Sequence, residues 1–325
     1  MINISRKAIA FSALLLAMAV SGCGGKKGSM QPSPLAKVAC DESFENIIEQ
    51  EINVYEYIYP KEDVLAYYLP ENECVDSIMA MGSVKAAVIS RPLTEKEVSY
   101  LRSHKKVVHQ QKIAVDALAI IVNPANPVEI LSRKDIAEIL TGEVARWDQV
   151  EPCKLGEIDV IFDHQGSSTV KYMRDSILNG KAFGPNVSAV KTNPEVFKAV
   201  AENKNAMGVI GVSWVSSDMN GREKSVEELA KAVEKSDTTM LDFNSDVKVL
   251  KIRGNGVVTA YKPYQAYIFD GSYPLYRSVY MVTTAPGGTI AHRFYSFVTG
   301  FQGQKLIQMT GILPATVRPR MVAVE

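Results

Sequence analysis

A chain of 325 residues is longer than one ordinary domain, and two domains of about 150 residues each are the expectation. Hydrophobic residues make up 46% and charged residues 22%, with 21 Gly and 15 Pro, a balance that excludes a disordered, collagen-like or coiled-coil chain. Thirty-six Lys and Arg match 36 Asp and Glu, so no net field draws the chain to nucleic acid.

At the N-terminus Arg6 and Lys7 precede Ala8–Val20, a run apolar except for Ser12. That run is too short to cross about 30 Å of hydrocarbon as a helix and reads as a signal peptide. Val20-Ser21-Gly22-Cys23 resembles the lipobox of bacterial lipoproteins, where cleavage precedes a cysteine that becomes diacylated. The resemblance implies that residues 1–22 are a leader and that Cys23, bearing palmitate-type chains, anchors the mature protein to a membrane. An ordinary signal cut at small residues, with Cys23 incidental, is the alternative. Gly24–Pro34 is rich in Gly, Ser, Pro and Lys without periodicity, so residues 23–36 read as a flexible tether. Loss of Arg6 and Lys7 with the leader leaves the body slightly acidic. Cys40, Cys74 and Cys153 lack C-x-x-C spacing and are odd in number, which disfavours a disulfide framework or zinc cluster; buried free thiols are expected.

Along the body, short apolar runs alternate with helical patterns. Val38–Cys40 leads into a helix over Ser43–Tyr59, whose stripe of Phe44, Ile47, Ile48, Tyr55 and Ile58 ends at Pro60. Strand-like runs follow at Val64–Leu69, Val84–Ile89 and Val107–Val122, and Thr94 with Glu97 forms a capping box between the last two. Ser132 caps a helix carrying Ile136, Ile139 and Leu140 and ending at Gly142. Further strands are expected at Asp159–Phe162, Met207–Val212, Val247–Ile252 and Val279–Thr283, with a helix opened by Asn193-Pro194. Ser216–Asn244 is a polar excursion with one helix near Val226–Val233, and no long repeat is visible. The alternation predicts an α/β fold with mostly parallel sheets flanked by helices.

In such a sheet, ligands bind outside the carboxyl ends of strands, where helix N-termini offer free N–H groups and positive dipole ends. The stretch Ile161 to Met173 places Asp163, Gly166, Ser167, Ser168 and Thr169 at one such tip: the glycine permits close approach and three hydroxyls add donors. Plain N-capping by Ser and Thr is the alternative for this tip. A second tip is Ser90-Arg91-Pro92-Leu93-Thr94, where the planar fork of Arg91 suits a phosphate or carboxylate. The third, Cys40-Asp41-Glu42-Ser43-Phe44, sets Ser43 at a helix start. Three such tips point to a common small oxyanion.

Taken in order, these segments resemble the phosphate-binding lipoproteins of Pst-type phosphate ABC transporters, which are type II periplasmic binding proteins. The matching text is Ser90-Arg91-Pro92-Leu93-Thr94 with Glu97, Val115 to Pro124 with Asn126-Pro127-Val128, and Ile139-Leu140-Thr141-Gly142 with Trp147. It continues with Gly166-Ser167-Ser168-Thr169, Gly208-Val209-Ile210-Gly211 and Tyr273-Pro274-Leu275-Tyr276-Arg277. The resemblance implies two lobes, 37–115 plus 278–325 and 116–277, that close on inorganic phosphate and present it to an ABC transporter permease. Ser43, Ser90 and Arg91 would line the first lobe, and Gly166, Ser167, Ser168 and Thr169 the second. The Asp116 to Pro127 run and Trp147 would be scaffold.

The chain departs from the family at two tips. The family's first loop usually reads Gly-Ser-Thr/Ser-Thr, where this chain has Asp41-Glu42-Ser43-Phe44, and Asp163 stands where an Arg is frequent. The expectation is that Arg91 is the main charge partner, and that Asp163 or Asp41 accepts the proton which HPO₄²⁻ has and sulfate lacks. A hydrolase would need Ser167 or Ser168 paired with His164, and no G-x-S-x-G elbow is present. His104, His109, His164 and His292 are scattered, so neither metal nor other cofactor is indicated. A binding protein or sensor for another oxyanion or small phosphorylated compound is the main alternative.

Overall fold

The computed structural model describes residues 35–216, 226–234 and 243–319. The leader and Cys23 lie outside the described residues. The main strands are β1 (Leu35–Asp41), β2 (Asp63–Leu69), β3 (Val84–Ile89), β4 (His109–Val122), β5 (Asp159–Phe162), β6 (Val187–Ala189), β7 (Ala206–Gly211) and β8 (Tyr276–Thr283). The longer helices, with one short helix at the site, are α1 (Glu45–Ile58), α2 (Glu71–Met79), α3 (Glu95–Ser103), α4 (Arg133–Thr141), α5 (Ser168–Tyr172), α6 (Asn193–Glu202), α7 (Ile290–Thr299) and α8 (Phe301–Met309).

The strands join in the order β2-β1-β3-β8-β4-β7-β5-β6 within a ten-stranded sheet. At one end β2, β1 and β3 are parallel, and at the other β7, β5 and β6 are parallel. The antiparallel ladders of this sheet gather on β8 and β4. β4 joins the two ends of the sheet: its stretch His109–Ala117 pairs with β8 and its last five residues with β7. One continuous strand therefore feeds both lobes of a two-lobed α/β fold, with the strand ends of each lobe facing the other.

Side-chain alternation along the strands divides the core. In β1, Val38 and Cys40 enter the large cluster under α1, whereas Ala39 joins Cys74, Ile78, Ile89 and Leu101 on the opposite face. α1 buries Ile47, Ile48, Ile52 and Tyr55, each side chain contributing about 1.5–3 kcal/mol. The expected capping box of Thr94 with Glu97 forms at α3, and the expected cap Ser132 proves to be a full box with Asp135 at α4; α4 ends at Gly142, with φ +81°. Gly208 is required by packing, since a Cβ there would lie 2.7 Å from Ile121 Cγ1 and 2.9 Å from Val200 Cγ2.

Several boundaries differ from expectation for physical reasons. β1 begins at Leu35, inside the expected tether, because Leu35 and Ala36 pair with Asp63 and Val64. The helix expected from Ser43 opens as a 3₁₀ turn over Glu42–Phe44 before α1. The run Val247–Ile252 is two short strands: Lys248–Val249 pairs with β4, and Lys251–Arg253 turns away to pair with Ile130–Ser132. The excursion helix lies at Val226–Glu234, where the sequence placed it. No helix among the described residues is long and apolar enough to cross a membrane.

Candidate functional site

Three strand-derived segments converge between the lobes. β1 ends at Asp41, which is fully buried and caps the following turn, its Oδ1 accepting the Ser43 N–H at 2.9 Å. β5 ends at Phe162, and Asp163 turns the chain into the loop that opens α5. The hydroxyls of Ser43 and Thr169 lie 3.4 Å apart, and Ser168 Oγ donates to Ser43 Oγ at 3.3 Å. From β8, Arg277 Nη1 donates to Ser168 Oγ at 2.6 Å.

Arg277 is 5% exposed and firmly seated. Its Nε and Nη2 donate to Asp116 Oδ2 at 3.2 and 3.1 Å, and its guanidinium carbon sits 4.8 Å from the centre of the Phe44 ring. Burial pushes the Asp116 carboxyl up to about 6 against the pull of Arg277. Burial likewise raises Asp41, with Arg277 the main opposing influence. Asp41 Oδ2, Asp116 Oδ1 and Asp163 Oδ2 are buried and make no hydrogen bond of ordinary length. The site thus combines one fixed cation, three hydroxyls and buried carboxylate oxygens free to accept, a set suited to a protonated oxyanion.

Not every expected residue joins this cluster. Ser167 is the helix cap: its hydroxyl accepts from Val170 N–H at 3.2 Å and donates to Asp163 Oδ1 at 2.7 Å. Gly166 brings the loop against the first lobe, since a Cβ there would lie 3.5 Å from Pro70 Cβ. Ser90 donates its N–H to Glu71 Oε2 at 2.9 Å and its hydroxyl to the same oxygen. Arg91, expected as the main charge partner, instead forms a bidentate pair with Glu97, both contacts at 2.9 Å, and holds that carboxyl down at about 2. Arg91 makes no hydrogen bond to the hydroxyl cluster, whereas Arg277 donates to Ser168 within it. Ser167 and Ser168 make no hydrogen bond to His164, whose Nδ1 accepts from the Gly166 N–H at 3.1 Å. A serine–histidine nucleophile is therefore not assembled.

Sequence reasoning set Asp116 in the scaffold, named Arg277 only within the family match, and gave neither a place in the site. The signal was present: each is a lone charge within an apolar run, and two such opposite charges are expected to find one another when buried. Further contacts close the cleft. Asn46 Nδ2 donates to the Ser213 carbonyl at 3.0 Å, and Trp214 Nε1 donates to the Ser43 carbonyl at 3.2 Å.

A two-lobed fold with a polar cleft at facing strand ends defines a solute-binding architecture. The family described as the PBP superfamily domain matches residues 27–300, and the chain belongs to it. It is similar to the phosphate-binding protein PstS of Pseudomonas aeruginosa, 19% identical over 316 residues that cover 92% of this chain and 88% of that one. The PstS protein of Borreliella burgdorferi is 28% identical over 143 residues, 42% of this chain and 48% of that one. The first two curated relatives are matched over less than half of their length. The structure of an ABC-type phosphate transport receptor from Vibrio cholerae superimposes with a TM-score of 0.60 at 21% identity, covering 86% of this chain and 99% of that one.

Proposed function

We propose that this protein captures inorganic phosphate between its lobes and delivers it to an ABC transporter permease, without turning it over. The observation that carries the reading is the junction of Arg277, Ser168, Ser43 and Thr169, contributed by three strand ends from both sides of the cleft. Arg277 is the principal cation, supported by backbone N–H groups at the start of the Glu42–Phe44 turn and of α5. Asp41 Oδ2 and Asp163 Oδ2 supply acceptors for a phosphate proton, and sulfate, which has none to offer, would meet repulsion there. Residues 35–115 plus 278–319 belong to the first lobe and the described residues of 116–277 to the second, with β4 and β8 as crossovers. Cys23 carries the lipid that holds the body beside its permease.

Titration calorimetry with phosphate and then sulfate near pH 7.5 tests this. Micromolar or tighter phosphate binding with no sulfate heat supports the reading. Equal binding of both anions, or of neither, rejects it.

A further inference from the structure

The helix that presents Ser168 and Thr169 also carries Lys171, three residues past Ser168 and on the same side of the turn. Lys171 Nζ reaches the first lobe and donates to Glu71 Oε1 at 3.0 Å. Glu71 stands at the start of α2, is 4% exposed, and is fixed within its own lobe by the N–H and hydroxyl of Ser90. Arg91 Nε lies 3.7 Å from Oε1. Burial alone would raise the Glu71 carboxyl, yet the Ser90 hydroxyl and Lys171 together hold it below its ordinary value. An ionised, preorganised carboxylate therefore faces an ammonium carried by the anion-binding helix.

We propose that Glu71 and Lys171 are a positioning pair: Glu71, held by Ser90, draws in Lys171 and so seats Ser168 and Thr169 against Ser43, setting the residence time of the bound oxyanion. The inference rests on the cleft being an oxyanion site. Apparent affinity scales with the fraction of molecules in the binding-competent arrangement, and a contact made only in that arrangement acts chiefly on dissociation. Lys171 is 47% exposed, so its attraction to Glu71 is screened by salt in a way that buried contacts are not. This explains why Ser90 and Arg91 face a carboxylate of the chain itself.

The test is Lys171→Met, which keeps the aliphatic stem, with Lys171→Arg as the conservative control. Phosphate dissociation is followed by the fluorescence of Trp214, whose indole N–H bridges to the Ser43 carbonyl. Lys171→Met is expected to weaken phosphate binding about 3- to 10-fold, almost entirely through faster dissociation. Raising KCl from about 0.05 to about 0.5 M should speed dissociation from the wild type and leave the Met variant nearly unchanged, while Lys171→Arg restores both rate and salt response. Binding and dissociation within about twofold of wild type would overturn the pair, as would a weakened variant that keeps the full salt response. Should the wild type show no phosphate binding at all, the ligand reading fails separately. Small-angle scattering then decides the pair: a larger radius of gyration for Lys171→Met than for wild type sustains it, and equal radii end it.

Discussion

Replacing Arg277 separates the two cations most plainly. Its Nη1 bonds Ser168 at 2.6 Å, so an anion seated among Ser43, Ser168 and Thr169 would receive a charge-assisted bond from the same guanidinium. Such bonds contribute about 1.5–3 kcal/mol, which predicts phosphate binding weakened about 10- to 150-fold in Arg277→Met. The substitution also strands the buried Asp116 carboxylate, a loss of about 3–5 kcal/mol in stability, so it is best made together with Asp116→Asn. Calorimetry on the folded double variant gives the affinity, and a thermal melt confirms folding. Arg91→Met, which removes the pair with Glu97, the bond to the Pro92 carbonyl and the flank of Glu71, is expected to bind within about twofold of wild type. Wild-type affinity in the Arg277 double variant, or an equal loss in Arg91→Met, would refute the assignment.

Other substitutions probe acceptor chemistry and packing. Asp41→Asn replaces a buried acceptor with a group that can donate, and the ratio of phosphate to sulfate affinity should fall at least about tenfold in a competition assay; an unchanged ratio would shift proton acceptance to Asp163. Glu51 is fully buried in α1 with both oxygens unpartnered, and burial raises its carboxyl well above the ordinary range. Its folded state favours the protonated form, so the destabilisation is absent below its unfolded value of about 4.5 and grows as pH rises towards the folded value. Glu51→Gln should therefore raise the melting temperature more at about pH 8 than at about pH 4.5, and a constant offset would contradict this. Gly208→Ala forces a methyl against Ile121 and Val200 and should cost about 1–3 kcal/mol, read as a lower urea midpoint.

Local chemistry accounts for what could be read from the sequence. Thr94 with Glu97 and Ser132 with Asp135 cap their helices within four residues of chain, so their pattern is visible without the fold. The helix starts that carry Ser43, Ser168 and Thr169 are visible in the same way, because a helix start after a strand is a local event. Arg277 and Asp116 are 161 residues apart, and only the crossing of β8 and β4 brings them together. Arg91 is held by a contact of the opposite kind, one close in sequence. Its partner Glu97 is six residues on and also closes the Thr94 capping box, and the capping pattern by itself does not reveal that the half-buried Arg91 joins it. Glu71 gave no signal beyond an acidic residue in a first helical turn, since its partner Lys171 is 100 residues away.

The most direct measurement is a crystal structure of the protein grown with phosphate and no sulfate. The account predicts phosphate oxygens about 3 Å from Arg277 Nη1 and from the Ser43, Ser168 and Thr169 hydroxyls, with Asp41 or Asp163 facing the protonated oxygen. Phosphate bound instead at Ser90 and Arg91 with Glu71 displaced, or a cleft that excludes phosphate at millimolar concentration, would contradict it.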